Sequence, residues 1–201
     1  MDLFPIHYFP SIEYYAHLVQ SESYIFEGED NFRKQTYRNR AYIYGANGKL
    51  ALNIPIQHKN GSRSYKDTQL ANETDWQLNH LKSLKTAYQS SPYFEYYEDK
   101  FTPLFKEKEQ FLFDFNLKCF QVVNQLLKLE VELQFTEEYF KEPQQNDLRS
   151  TFDAKAEKSI ELEPYIQVFS PKLGFIPNLS ILDLLFNEGP HAVEYLKNIK
   201  I

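Results

Sequence analysis

Ala41-Tyr42-Ile43-Tyr44, then Gly45-Ala46-Asn47-Gly48, then Leu50-Ala51-Leu52-Asn53-Ile54 is the stretch on which the fold turns. Aromatic and branched residues favour the pleated surface of a strand, and an Asn-Gly pair supplies the left-handed backbone of a tight turn. The two runs are therefore predicted to pair as an antiparallel hairpin. Upstream, residues 3–9 read as an apolar strand stopped by Pro10, and Tyr24-Ile25-Phe26 reads as another.

Helical spacing fills most of the remainder. Ser11 is a predicted N-cap for 12–20, where Ile12, Tyr15, Leu18 and Val19 fall near one face. Trp76, His80, Leu84 and Tyr88 recur every four residues, which predicts a helix over 75–90 that ends before Pro92. Residues 93–97 begin a short helical or irregular segment. The longest predicted helix is 111–129, and Cys119 lies within its apolar pattern. Residues 144–159 are too polar to order themselves and read as an exposed loop, as do residues 57–65, which carry Asn60-Gly61 and suit a cover over a site. Residues 165–169 are predicted to return as a strand, and 179–186 and 191–196 as closing helices. These elements predict a mixed α/β (α+β) fold, one domain over 1–201, with a small sheet around the hairpin and several helices packed beside it.

Composition narrows the classes. A chain of 201 residues with 42% hydrophobic residues is long enough to bury a sizeable core. Tyr 15 and Phe 17 make it aromatic-rich, which serves a core or lines sugar and base pockets. One cysteine excludes an internal disulfide and any multi-cysteine metal site. No apolar run is long enough to span a bilayer and no signal core opens the chain, so a cytoplasmic location is expected.

Against a net charge of -6, residues 31–40 gather Arg33, Lys34, Arg38 and Arg40 just before the hairpin. Arginine presents a planar fork that matches phosphate or carboxylate, so this cluster reads either as an anion site or as a solvated basic edge. The acidic balance and a pI near 5.4 argue against an extended nucleic-acid footprint. Glycine-rich dinucleotide and Walker loops are absent, and so is the Gly-x-Ser-x-Gly elbow. The five histidines show no metal-ligand spacing, so no metal is predicted and the sequence names no cofactor. His80 shares a helix face with Trp76 and reads either as a general acid or base or as a histidine satisfied by a backbone carbonyl. His7 sits where strand gives way to loop, either at a site rim or in strand-end packing.

The ordered series His7-Tyr-Phe-Pro-x-x-Glu-Tyr-Tyr15, Lys34-Gln-Thr-Tyr-Arg-Asn-Arg40, Asn47-Gly48 with Leu52-Asn-Ile-Pro-Ile56, Trp76 and His80, Ala87-Tyr88 and Ser91-Pro-Tyr-Phe94 resembles the WbqC-like protein family of bacteria. The tail from Gly174 to Asn187 resembles that family's end. Many members carry Gln-Pro before the first tyrosine where this chain has Ile6-His7. The resemblance implies a cytoplasmic protein of O-antigen or other surface-polysaccharide biosynthesis and brings no settled reaction. It makes Asn39, Arg40, Trp76, His80, Tyr88 and Pro92 site candidates. The expected function is thus a transferase or modifying enzyme acting on an activated sugar, with a small anionic partner such as a sugar nucleotide. In that expectation Arg38 and Arg40 grip the anion, Asn39, Trp76 and Tyr88 complete the binding surface and His80 moves the proton. The alternative is a non-catalytic protein that binds a sugar nucleotide or a partner enzyme.

Overall fold

In the computed structural model, which describes residues 1–57, 64–154 and 160–201, the hairpin forms as the sequence predicts. Strand β3 (Arg40–Gly45) pairs antiparallel with β4 (Gly48–Asn53), in a register that sets Gly45 opposite Gly48 and Arg40 opposite Asn53. Only Ala46 and Asn47 lie between the paired glycines, and Gly48 takes φ +105°, which a side chain would strain. The hairpin stands as its own two-stranded sheet. The three-stranded parallel sheet has the order β2-β1-β5, built from β1 (Asp2–Phe4), β2 (Tyr24–Phe26) and β5 (Asn146–Asp147).

Three expectations need correction. The first strand ends at Phe4 rather than running to residue 9, because the Pro5 and Ile6 carbonyls turn inward and accept from the Tyr14 and Tyr65 hydroxyls at 2.8 and 2.9 Å. The polar stretch after residue 144 is not simply an exposed loop. It supplies β5, buries Leu148, Phe152 and Ala154, and sinks Arg149 into an ion pair with the buried Glu27 at 2.8 Å. A buried, paired charge reads as polar in sequence, which is why composition misleads there. Residues 165–169 form no strand: the Gln167 amide bonds both the N–H and the carbonyl of Ile176 at 2.9 Å, which folds the chain back on itself. Residues 58–63 and 155–159 of the two predicted loops lie outside the described residues. At the end of the first loop, Tyr65 is fully buried.

The helices surround these sheets. Helix α1 (Ile12–Gln20) starts as predicted, with Ser11 Oγ accepting from Tyr14 N–H at 3.3 Å. Helix α2 (Trp76–Tyr88) packs against both α3 (Phe94–Lys106) and β3. Helix α4 (Leu112–Leu127) buries Phe115, Cys119 and Phe120 completely. A short α5 (Ser170–Leu173) precedes α6 (Ile181–Glu188) and α7 (Ala192–Asn198). Tight backbone bonds weld α6 to the hairpin and to α1, since Ser180 N–H donates to Tyr42 O at 2.7 Å and Ile181 N–H to Pro10 O at 2.8 Å. One aromatic-rich cluster runs through all of this, from Phe4 and Tyr8 to Phe186.

Candidate functional site

The end of β4 is where most of the residues picked from the sequence meet. Ile54 N–H donates to the Asn39 carbonyl at 2.8 Å, and Asn39 Nδ2 donates back to the Ile54 carbonyl at 3.2 Å. One residue earlier, the Asn53 carbonyl accepts from His80 Nε2 at 3.1 Å. Arg40 faces Asn53 across the ladder, and the Trp76 ring meets His80 edge-on with centroids 5.2 Å apart. The four-residue spacing of α2 stacks Trp76 and His80 on one face, and the hairpin register brings Asn39 and Arg40 to the same strand end.

These residues are unevenly satisfied. Asn39 Oδ1, Arg40 Nε and Trp76 Nε1 are buried and have no hydrogen-bond partner among the described residues. Buried polar atoms are almost always paired, and each one left alone costs about 1–3 kcal/mol. Arg40 donates from Nη1 to the Tyr42 hydroxyl at 3.3 Å but meets no carboxylate among the described residues. Asn39 and Arg40 at the strand end, and Trp76 through its contact with His80, thus leave one acceptor, two N–H donors and a positive charge with no carboxylate beside it among the described residues, a chemistry that suits an anion carrying hydroxyl groups.

His80 is complete by contrast. A carbonyl only accepts, so Nε2 carries the proton toward Asn53 and Nδ1 accepts from the Tyr8 hydroxyl at 2.8 Å. Burial moves its pKa down to about 4, opposed only by the bond to Asn53. The imidazole is neutral near pH 7, with its lone pair already occupied.

Arg38 and Tyr88 lie elsewhere. The Arg38 guanidinium turns inward onto Asp30, through Nε at 2.9 Å and through Nη2, with both side chains 2% exposed. Its carbonyl accepts from Asn116 Nδ2 at 2.6 Å, so Arg38 holds the approach to the hairpin from inside. Tyr88 sits twelve residues along α2 from Trp76, about 18 Å at the helical rise. There its hydroxyl donates to Asp183 Oδ1 at 2.8 Å and accepts from Tyr44 N–H at 3.1 Å. Pro92 follows the last turn of α2.

Sequence reasoning missed Asp30 and Asp183, the acids that take up Arg38 and Tyr88. Asp30 had a signal, because the Glu27-Gly-Glu-Asp30 run stands just before the basic cluster. Asp183 had none, being one polar residue in an apolar helix. Two open clefts, of about 420 Å³ between the hairpin tip and α2 and about 960 Å³ beside α7, are lined by none of the candidate residues. Among the described residues no three His, Cys, Asp or Glu side chains are placed to hold a metal ion. No helix among them is long and apolar enough to cross a membrane.

Comparison with known proteins adds a relative and a family. The chain is 24% identical over 220 residues to an uncharacterized protein, Rv1507c, of Mycobacterium tuberculosis (strain ATCC 25618 / H37Rv), with 94% of each chain covered. No solved structure matches it. The model of the WbqC-like protein family matches residues 6–167, which take in the hairpin, the basic cluster and α2, and the chain belongs to that family.

Proposed function

We propose that this protein acts in the assembly of bacterial surface polysaccharide, as an enzyme that transfers or modifies a group on an activated, anionic sugar. What supports the reading is three buried polar atoms without a partner among the described residues, on Asn39 and Arg40 at the end of β4 and on Trp76, which meets that end through His80. Arg40 takes the phosphate through its guanidinium fork, Trp76 Nε1 donates to a ligand oxygen, and Asn39 Oδ1 accepts from a sugar hydroxyl or a base N–H. His80 positions the Tyr8 hydroxyl and the β4 carbonyl, and it moves a proton only when Tyr8 releases Nδ1. Arg38 and Tyr88 serve this site from a distance, by fixing the loop before β3 and the far end of α2.

The test is a thermal-shift titration with UDP-glucose, UDP-N-acetylglucosamine, GDP-mannose and dTDP-glucose. A ligand present at about 100 times its Kd adds about 2.7 kcal/mol, a shift of several degrees for a chain of this size. Arg40→Lys keeps the charge but loses the fork, and is expected to weaken binding by about tenfold. No shift with any of the four, or equal affinity of the two forms, would sink the reading. A second reading, binding without turnover, is favoured by the occupied lone pair of His80. Recovery of the bound nucleotide sugar unchanged after long incubation with candidate acceptors would select it.

A further inference from the structure

His7 is buried to 1% exposure and neither of its ring nitrogens has a hydrogen-bond partner among the described residues. It belongs to neither the β4 end nor the ion pairs. Its ring lies against Tyr14 at 5.7 Å, Tyr37 at 5.8 Å and Phe152 at 6.4 Å between centroids. Burial, and after it the nearby Arg38 charge, holds the imidazole well below its ordinary pKa, hence neutral. A neutral imidazole presents one N–H donor and one bare acceptor. Leaving both unmatched in an aromatic surround is costly, and a hydrophobic side chain of similar size would fill the same space without that cost.

One side chain, Tyr37, walls His7 off on this side. Tyr37 is 5% exposed and its hydroxyl makes no hydrogen bond among the described residues. Its backbone is pinned, because Tyr8 N–H donates to the Tyr37 carbonyl at 2.8 Å, so access comes from rotation of the side chain alone. Around Tyr37 stand the Tyr42 ring, edge-on to it at 6.1 Å, the Glu13 carboxylate, which Asn178 Nδ2 holds at 2.8 Å, and the Asp153 carboxylate. Aromatic faces with hydroxyl, amide and carboxylate edges are the chemistry that recognises a neutral sugar ring: apolar C–H faces pack on the rings and hydroxyls exchange hydrogen bonds with the edges.

We infer that His7 is the floor of a second binding site, closed by Tyr37, for a neutral hydroxylated ligand such as a hexopyranose. One ligand group accepts from the imidazole N–H while a neighbouring hydroxyl donates to the bare nitrogen. The ligand it takes is uncharged, since the carboxylates of Glu13 and Asp153 at its mouth would repel an anion, and the site goes beyond the anion-binding reading of the β4 end.

Two measurements test it. In the full chain labelled with 15N-histidine, two-bond nitrogen–proton spectra are followed while N-acetylglucosamine, and separately UDP-N-acetylglucosamine, is added, with His7→Gln to assign the signal. The His7 nitrogens are expected to shift with the free sugar. Signals unmoved by both probes overturn the inference. In parallel, His7→Leu is expected to raise the unfolding midpoint by about 2–4 °C, since it removes two polar atoms without partners. A lowered midpoint means the nitrogens are matched within the protein and overturns the inference too. The two proposals fail separately. Stabilisation by UDP-N-acetylglucosamine with His7 unmoved leaves the activated-sugar reading standing and removes this site, whereas a His7 response to the free sugar without any nucleotide-sugar binding does the reverse.

Discussion

Two polar knots flank the hairpin, and they are built in opposite ways. At one, Asp183 is fully buried and accepts from the Tyr88 hydroxyl, the Tyr165 hydroxyl and Gln167 Nε2, while Tyr88 accepts in turn from Tyr44 N–H. Every one of these atoms has a partner. At the other, the end of β4, Asn39, Arg40 and Trp76 each keep a buried atom without one. Folding favours closing such networks, because an unmatched buried polar group costs more than a matched one gains. A closed network therefore needs only stability to explain it, whereas an open one is where the proposed ligand would supply the missing partners.

The closed knot should be the more costly to break. Asp183→Ala strips the acceptor from three buried donors, and a loss of about 3–5 kcal/mol in urea unfolding is expected. The carboxylate is held without a cation, and burial raises its pKa. Its ionisation thus works against folding as pH rises above the ordinary carboxylate value, and what Asp183 contributes comes from the hydrogen bonds it accepts. A loss under about 1 kcal/mol would mean that water replaces Asp183 and that the knot is open after all.

His80 lies between the two kinds of network, a complete pair of bonds at the edge of an open cluster. Its folded pKa of about 4 is below its ordinary value of 6.5. On acidification the unfolded chain takes up a proton near pH 6.5, while the folded chain refuses it until about pH 4. Stability therefore falls as pH drops through that window, by up to about 3 kcal/mol from this residue alone. His80→Gln should flatten that part of the profile in unfolding curves taken across the window. His7 and His17, both lowered, supply a slope that remains. Parallel curves for the two proteins would mean that His80 is not desolvated.

The contrast also marks how much was legible in the sequence. The hairpin, the Ser11 cap and the extent of α2 follow from local signals: an Asn-Gly turn, a capping serine and a four-residue repeat. The gathering of Asn39, Arg40, Trp76 and His80 was legible only as an ordered series of motifs, since the contacts that tie them to the β4 end span up to 27 residues of chain. The inward turn of Arg38 was not legible. Two arginines two apart in a nascent strand look alike, and only the tertiary position of Asp30 separates the paired one from the unpaired one. The third strand of the parallel sheet was hidden as well, because β5 is two polar residues whose pairing with β1 depends on main-chain atoms.

The finest test of the contrast uses two aromatic residues of one helix. Tyr88→Phe removes a hydroxyl that bridges Tyr44 N–H and Asp183, leaving a buried N–H without an acceptor, and is expected to cost about 1.5–3 kcal/mol. Trp76→Phe removes an N–H that has no partner among the described residues. The relief of that desolvation, about 1–3 kcal/mol, offsets the packing lost where the indole met Phe115 and His80. The net change is expected to stay within about 1 kcal/mol. Binding should show the opposite order: nucleotide-sugar affinity falls in Trp76→Phe and holds, per folded molecule, in Tyr88→Phe. Urea unfolding and calorimetric titration on the same preparations read both. If Trp76→Phe costs as much stability as Tyr88→Phe, the indole N–H has a partner in solution, and the distinction between a closed scaffold and an open binding surface fails at the β4 end.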